Sequence, residues 1–243
     1  GHNFVCAVLQ DGGAVCWGAN NRGQLGDGTT TTTNQLVTVG FLTDKVKELG
    51  CGGYQGHCCA LLESGSLKCW GANNAGSLGD GTVVDRPTPV TVYGITGAIK
   101  SLGIGHEHSC VLLEIGEVMC WGNNAAGQVG NGGTTHRLTP MTVPGISNAT
   151  SVNCGQFHTC VSLQDGTVKC WGSGRYGQIG EVITDEGYRS TPEMVPGIST
   201  ATRVFAGVLH SCALLSDRSM LCFGKNYFAQ LGNGVWGHPE SIA

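Results

Sequence analysis

Thirteen cysteines and eight histidines stand out in a chain of 243 residues. Ten of the cysteines fall into five pairs, Cys6/Cys16, Cys59/Cys69, Cys110/Cys120, Cys160/Cys170 and Cys212/Cys222, and the members of every pair are ten residues apart. One spacing repeated five times is not an accident of composition. His57, His108, His158 and His210 each stand two residues before the first cysteine of a pair, and Phe4 holds that place in the first pair. Two chemistries suit such a set, disulfide formation and metal ligation. Structural zinc takes four nitrogen or sulfur ligands, whereas each Cys-x9-Cys unit supplies two thiolates. In a strand the histidine would share the cysteine's face but lie one step farther along. Disulfides are therefore the stronger reading, and no metal or cofactor is assigned. Cys51, Cys58 and Cys154 lie outside the pairs. Cys51 and Cys58 share the irregular run GCGGYQGHCC, where a local bridge fits, and an odd total leaves at least one thiol unpaired within the chain. Cys154 is expected to be a small buried thiol rather than an intermolecular link.

The elements that must position these cysteines can be read from His158 to Gly180, HTCVSLQDGTVKCWGSGRYGQIG. Two short runs rich in β-branched and apolar residues, Thr159 to Leu163 and Thr167 to Trp171, flank Gln164-Asp165-Gly166. That is hairpin chemistry. A three-residue loop, a type I turn followed by a left-handed residue that makes a bulge, puts Gly166 in the left-handed position. Leu163 then faces Thr167, and Cys160 falls opposite Cys170. Opposed residues in an antiparallel pair have Cα atoms roughly 4.5 to 5.5 Å apart, within disulfide range. A two-residue loop would send the two sulfurs to opposite faces.

The second cysteines recur at intervals of 53, 51, 50 and 52 residues, and Trp17, Trp70, Trp121, Trp171 or Phe223 follows each. The chain is thus five repeats of about 51 residues, with hairpins near 4–17, 57–70, 108–121, 158–171 and 210–223. About four short strands per unit, turn signals roughly every 8 to 12 residues and no sustained 3.6 periodicity describe an all-β fold, a β-propeller. We read residues 1–243 as a single such domain. A blade cannot bury both faces alone, so the recurring tryptophan belongs between adjacent sheets. The linker glycines Gly23, Gly76, Gly127 and Gly177, with Ala229 as the exception, are expected in tight or left-handed turns.

Composition sets the surroundings. Glycine is 41 of 243 residues, and charged residues are 12% of the chain against about 25% in an average protein. Net charge is −4 with no basic run, which argues against nucleic acid or an anionic membrane as partner. No apolar run is long enough to span a bilayer. Evenly paired cysteines suit an oxidising compartment, so an extracellular or cell-surface location is expected. The chain opens with neither an initiator methionine nor a signal peptide, and we read it as a mature secreted product or a piece of something longer.

The run Gly-x-x-His-Ser/Thr-Cys, then Cys-Trp-Gly-x-Asn-x-x-Gly-Gln-Leu-Gly-x-Gly, then Thr-Pro-x-x-Val, resembles the regulator of chromosome condensation repeat family. His108 to Pro140 and His158 to Pro192 match it best. The resemblance implies a propeller, usually of seven blades, whose faces bind other proteins. Here there are five units. Pro239 to Ile242 resembles the start of a further unit, so the ring either closes with five blades through the C-terminus or belongs to a seven-bladed propeller. The cysteine pairs depart from the family and argue against carrying over a nuclear nucleotide-exchange activity.

Catalytic signals are weak. The repeated histidines read as construction, and His2, His106, His136 and His238 are not accompanied by a nucleophile motif. Asp27-Gly28-Thr29 and Asp80-Gly81-Thr82 read as turns and lack the alternating carboxylates of a calcium loop. Asn148-Ala149-Thr150 is a candidate N-glycosylation site. Specificity should lie where the copies differ. The residue before the linker glycine varies as Arg22, Ala75, Ala126, Tyr176 and Phe228. Arg22, Arg175, Tyr176, Tyr188, Tyr227, Phe228 and Trp236 are the candidate binding residues, of the types enriched at binding hot spots. The expected function is a non-catalytic extracellular interaction or structural module, with a protein partner or self-assembly. The alternative is a lectin-like propeller that binds carbohydrate.

Overall fold

A computed structural model of the chain describes residue 1, residues 3–53 and residues 56–235. Within them lie eighteen strands in five antiparallel sheets. The first sheet contains β1 (Phe4–Val8), β2 (Ala14–Gly18) and β3 (Thr33–Thr38). The second contains β4 (Val46–Cys51), β5 (His57–Leu62), β6 (Leu67–Gly71) and β7 (Arg86–Thr91). The third contains β8 (Ile99–Ile104), β9 (His108–Leu113), β10 (Val118–Gly122) and β11 (Arg137–Thr142). The fourth contains β12 (Ala149–Cys154), β13 (His158–Leu163), β14 (Val168–Ser173) and β15 (Tyr188–Met194). The fifth contains β16 (Ala201–Ala206), β17 (His210–Leu215) and β18 (Met220–Gly224). In every sheet the strands pair in chain order, as the up-and-down blades of a propeller do.

The expected register is present. Cys160 pairs with Cys170, the Leu163 amide donates to the Thr167 carbonyl at 2.9 Å, and Gly166 has φ +81°. The bulged three-residue loop is therefore the turn, and it places both sulfurs on one face. The outermost strand of the first blade starts at Thr33, because a bulge opposite Trp17 lets Gly18 pair with Thr33 while Cys16 pairs with Val37.

The four leading strands β4, β8, β12 and β16 pack beside one another, which places them nearest the axis. Four apolar clusters hold successive sheets together. In one of them Leu112 and Val118 of the third sheet meet Val161 and Trp171 of the fourth. Trp70, Trp121 and Trp171 are completely buried at such boundaries. An indole removes on the order of 200 Å² from water, roughly 5 kcal/mol gross at the usual coefficient. The first and last blades each contribute three strands among the described residues. Pro239 to Ile242, the segment expected to begin another unit, lies outside them.

Candidate functional site

The six cysteine pairs are bridged: Cys6–Cys16, Cys51–Cys58, Cys59–Cys69, Cys110–Cys120, Cys160–Cys170 and Cys212–Cys222, with Cα separations of 4.0 to 4.1 Å. These lie below the roughly 4.5 Å of a non-hydrogen-bonded antiparallel pair. Cys69 belongs to one of the five repeated pairs and Cys51 to the local bridge outside them, and packing separates the two. Cys69 is completely buried, as is its partner Cys59, and both belong to the apolar cluster that holds Leu78 and Trp121 between the second and third sheets. On its other side Cys69 pairs with Val90 of β7, just before a bulge. Cys69 is therefore a core residue, closed to any ligand, whereas Cys51 is half-buried and lines a cavity on the axis. Cys154 is the free, buried cysteine, and burial pushes its thiol up to about 12. His108, Cys110 and Cys154 bring possible ligand atoms together, but Cys110 is bridged to Cys120 and His108 uses Nε2 elsewhere.

The repeated histidines belong to a relay between blades. Nε2 of His57 lies 2.8 Å from Ser109 Oγ, that of His108 lies 2.9 Å from Thr159 Oγ1, and that of His158 lies 2.9 Å from Ser211 Oγ. Each hydroxyl donates onward to a carbonyl in the preceding blade's linker, of Ser77, Gln128 and Gln178 respectively. The tryptophan of the hydroxyl's own blade donates to that same carbonyl, Trp121 to Ser77 at 2.8 Å and Trp171 to Gln128 at 2.9 Å. A hydroxyl that gives away its proton must accept from the ring, so Nε2 carries the hydrogen. Nδ1 of His108 and of His158 has no partner among the described residues, which suits a bare acceptor better than an orphaned N–H. Desolvation holds all three rings down at about 3, and they are neutral at any ordinary pH. Neutral, buried and committed to their neighbours, they are built for assembly rather than proton transfer.

The linker after each second cysteine is held just as firmly. The carbonyl oxygen of buried Asn20, Asn73, Asn124 or Asn226 accepts an amide from five residues on. Gln24, Gln128, Gln178 and Gln230 each accept the amide of the residue two positions earlier, which is Arg22, Ala126, Tyr176 or Phe228. In the second linker Ser77 replaces the glutamine and donates to the Ala72 carbonyl at 2.8 Å; at the other tips two side chains are presented in a fixed frame. The fourth unit has Gly174 where its siblings have asparagine, and the inserted loop replaces the lost bonds. Gly174 donates to the Gly187 carbonyl, and Ile183 donates to the Gly174 carbonyl, both at 3.0 Å.

At the second and third blades the tips are Asn74-Ala75 and Ala125-Ala126, which offer little. At the fourth and fifth they are Arg175-Tyr176 and Tyr227-Phe228, and the two tips meet. The Tyr176 and Tyr227 rings contact edge to face at 6.3 Å. The Lys225 ammonium sits over both rings, 5.3 Å from the Tyr176 centroid and 5.2 Å from that of Tyr227. Phe228 beside them is 85% exposed. Arg175 is exposed and runs along the backbone at Gly187, one residue before half-buried Tyr188. The remaining candidates fall elsewhere. Arg22 is a strut between the first two blades, bonded to Asp85 at 2.8 Å and Asn74 at 3.2 Å. Trp236 lies outside the described residues. Asn148 is half-buried in the turn before β12, with its carbonyl accepting the Gln164 amide.

Sequence reasoning missed Lys225. It stands three residues after Cys222 in a column that carries no other lysine, and only the meeting of two tips gives it aromatic neighbours. The cavity on the axis has a volume of about 480 Å³ and is lined by Cys51, Ile104, His106, Cys154, Gln156 and Val208 among others.

This geometry has clear relatives. The chain matches the regulator of chromosome condensation (RCC1) repeat at residues 46–77, 99–128, 149–178 and 201–230, and a second description of that repeat at 64–112, 116–162 and 165–214. The chain belongs to the RCC1 repeat family. It is similar to the ultraviolet-B receptor UVR8 of Arabidopsis thaliana, 30% identical over 96% of this chain and 54% of the relative. It is also similar to the X-linked retinitis pigmentosa GTPase regulator of the dog, 37% identical over 100% of this chain and 24% of the relative. The chain therefore spans about half the length, or less, of these curated relatives. Among solved structures, human WBSCR16 aligns over 99% of this chain and 65% of its own, at 20% identity and a TM-score of 0.84. Yeast RCC1 (Prp20), solved bound to Kap60, aligns over 99% and 57% at 23% identity and 0.79. The ectodomain of the Physcomitrella patens receptor kinase CR4 aligns over 93% and 51% at 20% identity and 0.59. The solved structures share its propeller fold. No helix among its described residues is long and apolar enough to cross a membrane.

Proposed function

We propose that this propeller is a non-catalytic, extracellular protein-binding module, a single domain over residues 1–243. It takes its partner on the rim formed by Arg175, Tyr176, Lys225, Tyr227 and Phe228. The observation that carries the reading is the pairing of the two aromatic tips around Lys225, next to a phenylalanine that is 85% exposed. Aromatic side chains held by a hydrogen-bonded frame lose little entropy on binding, and aromatic and cationic residues concentrate at interface hot spots. The alanine tips of the second and third blades supply the contrast within the same fold. Six bridges support an oxidising compartment. The CR4 ectodomain gives an instance of a similar fold in a receptor's ectodomain. The carbohydrate alternative is less well served, because the ammonium already covers ring faces on which a sugar would stack.

The test is capture by cross-linking from the extracellular fraction of the source, comparing wild type with Tyr176→Ala/Phe228→Ala and with Arg22→Ala. One defined protein partner is expected, held at least tenfold more weakly by the rim variant and equally by the strut variant. Glycan-array binding that disappears on Tyr176→Ala or Tyr227→Ala would move the assignment to the lectin alternative. A turnover lost with any single histidine would overturn both. Secretion from a eukaryotic host tests the location separately, with a glycosidase-sensitive mass at Asn148 expected.

A further inference from the structure

The boundary between the first two blades lacks the histidine relay. Phe4 stands in the histidine column, and Cys58 stands in the hydroxyl column held elsewhere by Ser109, Thr159 and Ser211. At the first and last boundaries the residue in that column touches the first cysteine of the preceding blade's bridge. At the last boundary the contact is Cys160 Sγ to Ser211 Oγ, 3.5 Å. At the first boundary both atoms are sulfur. Cys6 Sγ and Cys58 Sγ lie 3.8 Å apart although each is bridged to a different partner, Cys16 and Cys51. The sulfurs of Cys6, Cys51 and Cys58 are all within 4.8 Å of one another. Cys58 and Cys16 are fully buried and Cys6 and Cys51 are half-buried, but of these four Cys51 alone lines the axial cavity, so a reductant entering that cavity meets Cys51 first.

We infer that these two bridges form a thiol–disulfide exchange site, which under a dithiol reductant re-pairs to join the first and second blades through a Cys6–Cys58 bond. The dithiol's thiolate attacks Cys51 Sγ, the Cys51–Cys58 bond breaks, and its electron pair leaves on Cys58 as thiolate. The reductant's second thiol resolves the mixed disulfide, releasing Cys51, which takes a proton. The Cys58 thiolate then attacks Cys6 Sγ. The Cys6–Cys58 bond forms, the Cys6–Cys16 bond breaks, and Cys16 leaves as a thiolate that is protonated in turn. The sum is one dithiol oxidised to its disulfide and two protein bridges converted to one, with Cys16 and Cys51 as thiols. The other boundaries offer no sulfur in the hydroxyl column. The free thiol of Cys154 lies within 4.8 Å of Cys110 Sγ, but burial keeps it protonated and so a poor nucleophile toward the Cys110–Cys120 bridge.

Graded dithiothreitol on the folded protein, acid quench, alkylation in denaturant and non-reducing peptide mapping test this directly. A new link between the peptide that carries Cys6 and the one that carries Cys58 is expected, with Cys16 and Cys51 alkylated. Cys59–Cys69, Cys110–Cys120, Cys160–Cys170 and Cys212–Cys222 should be intact at the same dose. Alkylation of Cys51 and Cys58 together beside an intact Cys6–Cys16 bridge would overturn the inference. Cys51→Ala frees Cys58 without reductant and should carry the Cys6–Cys58 link with its thiol at Cys16. A thiol retained at Cys58 would refute it. Cys58→Ser restores the hydroxyl and should keep Cys6–Cys16 closed, whereas a Cys6–Cys51 link there would show that Cys58 is not the attacking sulfur.

Discussion

Nε2 of His108 lies 2.9 Å from the hydroxyl oxygen of Thr159, one blade away, and that hydroxyl donates to the Gln128 carbonyl. Thr159→Val keeps the shape and removes the acceptor, leaving a fully buried ring N–H unpaired. Such a group costs about 1 to 3 kcal/mol. Urea unfolding should show that loss for Thr159→Val and well under half of it for Thr159→Ser, which retains the hydroxyl. Equal losses in both would mean that methyl packing, not the hydrogen bond, matters there.

The same rings set a pH dependence. His57, His108 and His158 are held at about 3 by desolvation, while unfolded imidazoles titrate near 6.5. Between those values the unfolded chain binds more protons, so stability falls as pH drops from about 6.5 toward 3. The slope is about 1.4 kcal/mol per pH unit for each ring once the unfolded group is fully protonated. Unfolding midpoints should decline steadily below pH 6.5. His108→Phe/Thr159→Val, with Phe4 as precedent for the ring, should lose about a third of the slope contributed by the three rings. A stability that stays flat from pH 7 to 5 would contradict burial of these rings.

Linker turns separate two demands on glycine. Gly127 has φ +72°, and a Cβ there would come within 2.6 Å of Ser190 Cα on the next blade. Ala229 holds the equivalent turn at φ +56° and is exposed. An L-residue in that conformation costs about 1 to 2 kcal/mol. Ala229→Gly should raise the stability of the chain by up to about 1 kcal/mol, since part of the gain is returned as unfolded-state entropy. Gly127→Ala should lose more than the strain alone, because backbone has to move. Thermal unfolding of the pair would decide it, and a destabilised Ala229→Gly would refute the strain.

At the rim the expectation is dissociation of binding from stability. Phe228→Ala removes a ring that is 85% exposed and should change unfolding free energy by no more than about 0.5 kcal/mol. Lys225→Gln removes two cation–π contacts worth roughly 0.5 to 1 kcal/mol each at exposed sites. Both should weaken partner capture, Phe228→Ala through lost contact and Lys225→Gln through a looser Tyr176–Tyr227 pair. A large stability loss in Phe228→Ala would show that it packs its own blade instead.

Much of the architecture was legible because repetition does the work of an alignment. Five cysteine pairs at one spacing, around Asp11-Gly12, Ser64-Gly65, Ile115-Gly116, Asp165-Gly166 and Asp217-Arg218, determine hairpin, register and face locally, since opposed sulfurs leave one loop length possible. The recurring tryptophan marks the buried side by size alone. What sequence could not supply is anything that depends on which blade faces which. The histidine column is visible as a repeat, but its partner is a hydroxyl some fifty residues on, and only the stacking of sheets shows that the bond crosses a blade boundary. Arg22 and Tyr176 occupy the same column, yet packing makes one an inter-blade strut to Asp85 and sets the other beside Tyr227 and Lys225. Cys69 and Cys51 both read as halves of a bridge, and only the stacked sheets bury the first in a core and leave the second at the axial cavity. Cys58 reads locally as the partner of Cys51, while its contact with Cys6 exists because two blades meet there. Short-range geometry is written in spacing, and the neighbours across a blade boundary are chosen by tertiary packing.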